Sequence, residues 1–137
     1  MSVFSWAARV YWEDTDGGGI VYYANYLRFL ERARTEWLRS LGHSQQQLAQ
    51  APGILFAVAG LSVEYRRPAR LDDELTITCE PRGERATAMR FVQRVYRATE
   101  GDLLVEADIR VVCLDARTLR PKRLPDFLTD ALTLERS

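Results

Sequence analysis

Apolar and polar residues alternate from Val3 to Trp12, placing Phe4, Trp6, Ala8, Val10 and Trp12 on one face and Arg9 and Tyr11 on the other. A period of two predicts a strand with one buried face. From Ala24 to Leu41 the period lengthens. Tyr26, Phe29, Leu30, Ala33, Trp37 and Leu41 recur at steps of three and four, with Arg28, Glu31, Arg32, Glu36 and Arg39 mainly opposite. This predicts an amphipathic helix whose solvated face is spaced for the pairs Arg28–Glu31 and Arg32–Glu36. Gly42 supplies its stop, and a short helix is expected over Ser44 to Gln50, ended by Pro52-Gly53.

The rest of the chain is rich in β-branched and aromatic residues. Strands are expected near Leu55–Arg67, Glu74–Pro81, Arg85–Ala98 and Leu103–Leu114, divided by turns at Arg67-Pro68, Arg82-Gly83 and Glu100-Gly101-Asp102. The two glycine turns suit hairpins between consecutive antiparallel strands. Leu124 to Leu134, with Pro125 at its start, is expected to close the chain as a helix. One strand, a long helix with a broad apolar face and four more strands make a single α+β domain over residues 1–137, the helix lying against the sheet.

Composition narrows the function. A chain of 137 residues can bury a sizeable core, and 19 basic against 19 acidic residues leave no net charge. That balance argues against general nucleic-acid or membrane-surface binding. Cys79 and Cys113 lie in apolar alternating stretches, as buried free thiols rather than a disulfide. The chain opens on no charged-then-apolar leader and contains no apolar run of membrane-span length, so a cytoplasmic protein without an integral membrane segment is expected. His43 is the only histidine. A zinc site would have to join it to two separated cysteines, and a Ser-His-Asp or Cys-His arrangement would have to use it. No metal or cofactor is expected, and His43, just past the long helix, suits the negative end of the helix dipole.

Between strand and helix runs Glu13-Asp14-Thr15-Asp16-Gly17-Gly18-Gly19. It sets a carboxylate and permissive backbone before a helix start, where the first amides lack internal partners. Such a place can hold an ionised aspartate and polarise a substrate carbonyl, the two needs of acyl transfer. Asp14 and Asp16 could equally be turn formers or helix caps.

Over the block from Arg9 to Gly42 the sequence resembles the signature of the 4-hydroxybenzoyl-CoA thioesterase group of hotdog-fold proteins. Glu-Asp-Thr-Asp (13–16), Gly-Gly-Ile-Val-Tyr-Tyr-Ala-Asn-Tyr-Leu (18–27) and Glu-Arg-Ala-Arg-Thr-Glu-Trp-Leu (31–38) are most similar to the Tol–Pal-associated, YbgC-type acyl-CoA thioesterases. The resemblance implies a five-stranded antiparallel sheet wrapped around the long helix. It also implies homodimers joined edge to edge, often paired into homotetramers, with active sites at the dimer interface. By position the catalytic aspartate is Asp16, with Asp14 structural, and Tyr23 offers its backbone amide to the thioester carbonyl. Gly17 stands where alanine or proline is more usual, a change expected to loosen the loop.

The activity implied is hydrolysis of an acyl-CoA thioester to free acid and coenzyme A, with Asp16 as nucleophile or general base. Hotdog dehydratases need a helix-proximal histidine, and none lies near this loop. The alternatives are a non-catalytic module that binds acyl-CoA or acyl carrier protein, and a structural partner in an envelope complex. Arg82, Arg85, Arg90 and Arg94 could meet coenzyme A phosphates or simply form a solvated face. The basic stretch Arg117, Arg120, Lys122 and Arg123 could meet an acidic acyl carrier protein or be an exposed tail. Tyr22, Tyr26 and Trp37 could line an acyl pocket or form plain core, and Glu64 could reach a neighbouring subunit or face solvent.

Overall fold

The N-terminal alternation becomes strand β1, Phe4–Arg9, in a computed structural model that describes residues 3–136. The strand is shorter than the alternation. Val10 is fully buried, but the next residues wind into a 3-10 turn, Trp12–Asp14, which leaves Trp12 68% exposed instead of inward. The cause is local: the Asp14 carboxylate accepts the Tyr11 N–H at 2.8 Å, and the Asp14 N–H goes to the Tyr11 carbonyl. A side chain that bonds nearby backbone competes with the ladder and here displaces it.

The long helix, α1, covers Tyr26–Ser40 and is preceded by a 3-10 turn at Tyr23–Asn25. It buries Tyr26, Phe29, Leu30, Ala33, Trp37 and Leu38, so Leu38 takes the core place expected of Leu41. Gly42, at φ +91, closes it: the Gly42 and His43 amides turn back to the Arg39 and Leu38 carbonyls. On the polar face Glu36 pairs with Arg39 at 3.0 Å rather than with Arg32. Helix α2, Gln45–Gln50, begins at Ser44, whose hydroxyl accepts the Gln47 amide.

Strands β2 (Ile54–Tyr65), β3 (Glu74–Arg85), β4 (Ala88–Arg97) and β5 (Leu103–Asp115) complete one antiparallel sheet of order β1-β3-β4-β5-β2. The turn expected at Arg82-Gly83 lies instead at Ala86-Thr87. Arg82 and Gly83 pair with Arg90 and Met89, and the glycine marks a bulge before Arg85, the other use of glycine in a strand. The turn at Glu100-Gly101-Asp102 forms as expected, with Gly101 at φ +74.

The inward face of the sheet closes on α1. Leu75, Ile77 and Cys79 of β3, Phe91 and Val95 of β4, and Val105, Ile109 and Cys113 of β5 pack with Phe29, Leu30 and Trp37, the last edge-on to Phe91 at 5.4 Å. Gln93, fully buried, stitches the layers by donating to the Leu30 and Thr78 carbonyls and accepting from Arg34. Burial lowers the pKa of Arg34 and raises that of the Cys113 thiol. Both cysteines are buried and neither forms a disulfide, as their apolar surroundings suggested. Helix α3, Asp126–Arg136, lays Leu128 and Leu132 on the core, and its Phe127 stacks on His43 with centroids 3.6 Å apart.

Among the described residues strand β2 bonds only to β5, and Val58, Leu61 and Tyr65 remain 47%, 48% and 45% exposed along it. No described helix is long and apolar enough to cross a membrane.

Candidate active site

The two aspartates of the loop have opposite fates. Asp14 is buried and both carboxylate oxygens are engaged, one by the Tyr11 amide at 2.8 Å and one by Asn25 Nδ2 at 2.9 Å. Its carbonyl accepts the Tyr22 amide, so Asp14 ties the end of β1 to the approach of α1. Asp16 is exposed. Its Oδ1 accepts the Gly18 amide at 2.7 Å, and its own amide donates to the Ile20 carbonyl, closing a small hairpin bridged at Thr15 and Val21.

That hairpin depends on its glycines. Gly17 and Gly19 both sit at φ +90, and a Cβ at Gly18 would stand 3.1 Å from Asp16 Oδ1. Gly17 therefore holds a conformation that proline cannot take and that alanine takes with strain.

The hairpin leans on the segment after β2. The Leu71 amide donates to the Gly19 carbonyl, the Val21 amide to the Ala69 carbonyl, and the Ala69 amide to Tyr26 Oη at 2.9 Å. Tyr26 is therefore core and anchor together, and burial raises its pKa. Between the hairpin and the first turn of the helix lies an open hollow of about 460 Å³, lined by Glu13, Thr15, Asp16, Tyr22, Ala24, Asn25 and Arg28.

Tyr23, although its neighbours Tyr22 and Ala24 line that hollow, is not itself among the lining residues. Its ring is 62% exposed and packs against Tyr22 at 5.0 Å and edge-on to Tyr65 at 6.1 Å. Its carbonyl accepts Tyr65 Oη at 3.1 Å, while its amide, the first of the 3-10 turn, has no acceptor among the described residues. A carboxylate on an open hollow at a helix start can take a proton from water or attack an acyl carbon, and helix-start amides are donors of the kind that can receive an oxyanion.

The other candidates separate clearly. Trp37 is core, and Tyr22 lies half-exposed on the hollow. Arg82, Arg90 and Arg94 are paired with Glu80, Asp108 and Glu106, so that face is a lattice of ion pairs. Arg85 and Arg123 line a separate hollow by the Ala86-Thr87 turn, and Lys122 meets Asp115. Glu64 is exposed on β2. Among the described residues no three His, Cys, Asp or Glu side chains cluster as metal ligands. No motif marks Tyr65 or residues 69–71, whose contacts with this site cross more than forty positions of chain.

A five-stranded antiparallel sheet around one long helix, with a carboxylate loop at the helix start, defines a hotdog-fold protein. Residues 10–132 match the sequence profile of the thioesterase-like superfamily, and the chain belongs to that family. It is 48% identical over 124 residues to the acyl-CoA thioester hydrolase YbgC of Escherichia coli O6:H1, covering 90% of this chain and 91% of that one. With the acyl-CoA thioesterase YbgC of Haemophilus influenzae it shares 42% identity over 89% of this chain and 88% of the other. The crystal structure of a probable thioesterase from Bartonella henselae superposes with a TM-score of 0.84 at 32% identity, over 90% of this chain and all of that one. The YbgC-type resemblance seen in residues 9–42 thus extends along nearly the whole chain.

Proposed function

We propose that the protein hydrolyses acyl-CoA thioesters to free acid and coenzyme A, with Asp16 as nucleophile or general base and the Tyr23 amide polarising the thioester carbonyl. The observation that carries this reading is the division of labour in the loop. Asp14 is consumed by Tyr11 and Asn25, whereas Asp16 stands exposed on the hollow at the helix start. The identity to the YbgC thioesterases supports the substrate class. The test is a hydrolysis screen across short, long and aromatic acyl-CoA thioesters, reading released coenzyme A thiol. A module that only binds would saturate with substrate and release none.

Tyr23→Phe is expected to keep kcat within about tenfold of wild type, because the proposed contact is the backbone amide. The loss of one exposed hydroxyl leaves that amide in place. A loss equal to that of an Asp16 variant would give the hydroxyl a chemical role.

The working unit in this reading is a homodimer or a pair of dimers. Strand β2 offers twelve residues of unpaired edge with exposed Val58, Leu61 and Tyr65, and a second copy laid antiparallel would satisfy that backbone and cover those side chains. Tyr65 also holds the Tyr23 carbonyl, so the same edge adjoins the site. Sedimentation at micromolar concentration should show no monomer. A wholly monomeric, fully active enzyme would remove the shared-edge arrangement.

A further inference from the structure

Arg97, at the end of β4, is far in sequence from the Asp16 loop and was singled out by no motif. Its side chain is only 12% exposed, and its guanidinium meets Asp73, Asp102 at 3.2 Å, Glu100 at 3.8 Å and the Pro68 carbonyl at 3.2 Å. Two of these contacts, Asp73 and Pro68, are the two ends of one loop; the carboxylates of Asp102 and Glu100 belong to the β4–β5 turn. Arg97 thus fastens the 68–73 loop to the turn end of the β4–β5 hairpin. Asp73 spends its carboxylate on the Arg70 amide as well, drawing the loop tight.

What that loop holds is the Asp16 hairpin. On the upstream side the Val10 amide donates to the Asp73 carbonyl and the Asp72 amide to the Val10 carbonyl. On the downstream side Leu71 bonds Gly19, Ala69 bonds Val21, and Ile20 bridges Arg70. The first turn of α1 is fixed by the same loop through Tyr26 Oη and the Ala69 amide. Asp72 sits at φ 72, a left-handed conformation unfavourable for a non-glycine residue, so the surroundings must impose this shape. The glycine hairpin itself, at φ +90 twice, has little intrinsic preference for one geometry. Its geometry is borrowed from the loop.

We propose that Arg97 is a positioning residue for hydrolysis: through Asp73 and Pro68 it holds the 68–73 loop, which sets Asp16 against the first turn of α1. This rests on the reading of Asp16 given above. A misplacement of the order of an ångström in a reacting group costs up to about a hundredfold in rate. Uniform binding of the acyl-CoA should change far less, because Arg97 does not line the hollow that carries Asp16.

The experiment compares Arg97→Gln, Arg97→Lys, Asp16→Asn and the double variant Arg97→Gln/Asp16→Asn on one acyl-CoA found active in the screen. Arg97→Gln should lower kcat about tenfold or more with KM within about threefold, and Arg97→Lys, which keeps charge but not the fork, should fall between. Hydrogen exchange at the Leu71 and Val21 amides should accelerate in step with the loss. In the double variant the Arg97 change should cost little beyond Asp16→Asn, because it acts through that residue. Wild-type kcat in Arg97→Gln overturns the proposal, as does a lost kcat with unaltered exchange or with losses that multiply. If Arg97→Gln does not fold, Arg97→Lys decides on the same readouts, and unchanged kcat there overturns it. An inactive Asp16→Asn beside a fully active Arg97→Gln sinks this inference alone, whereas a fully active Asp16→Asn sinks the reading of the site.

Discussion

Asp16→Asn is expected to lower kcat for acyl-CoA hydrolysis by about a hundredfold or more, the usual scale for removing a general base. The substitution is nearly isosteric. Asparagine can keep the bond that Asp16 Oδ1 accepts from the Gly18 amide, so the hairpin should hold its shape. It cannot attack the thioester carbon or take a proton from water. Because Asp16 is exposed and its partners are local, unfolding free energy should move by no more than about 0.5 kcal/mol, as for most surface changes. Acyl-CoA binding should persist. Steady-state kinetics, a melting curve and a binding titration on one preparation decide the matter. Turnover at the wild-type rate would remove Asp16 from the chemistry.

How much of this was legible beforehand follows from the range of each interaction. Helix α1 and strands β3 to β5 were legible because their apolar residues recur with the period of the element that buries them. Two departures came where the bonding and the residue pattern disagree, once through a local bond and once through the ladder. The alternation runs on through Trp12, but Asp14 captures the Tyr11 amide and turns the chain. Arg82-Gly83 has turn composition, yet the ladder with β4 continues through both residues and the glycine is spent on a bulge. The loop with its two aspartates was visible as chemistry, but composition alone treats Asp14 and Asp16 alike. What separates them is Asn25, eleven residues on, folding its amide back to Asp14. Arg97 and residues 68–73 lay beyond reach, because their link to Asp16 is a set of backbone bonds between distant segments, with no residue type of its own.

The separation of the two aspartates gives the second large effect, and it falls on stability. Asp14 is 7% exposed and presents two carboxylate oxygens to two donors, the Tyr11 N–H and Asn25 Nδ2. Asp14→Asn leaves one oxygen for two donors and turns an NH2 group towards the other. Flipping the Asn25 amide would meet that NH2 with an oxygen but would leave its own Nδ2 without the carboxylate. One buried donor is stranded either way, at a cost of about 1–3 kcal/mol. Chemical denaturation should show this as a lower midpoint with an unchanged slope. Turnover, measured where the variant is folded, should stay within about tenfold of wild type, since the carboxylate proposed to act is untouched. Exchanging the pair, Asp14→Asn together with Asn25→Asp, rebuilds both bonds with donor and acceptor reversed across the gap. It should recover most of the lost stability. If the exchanged pair is no more stable than Asp14→Asn alone, the hydrogen-bond account of Asp14 fails. If Asp14→Asn is inactive while Asp16→Asn turns over normally, the roles within the pair are reversed.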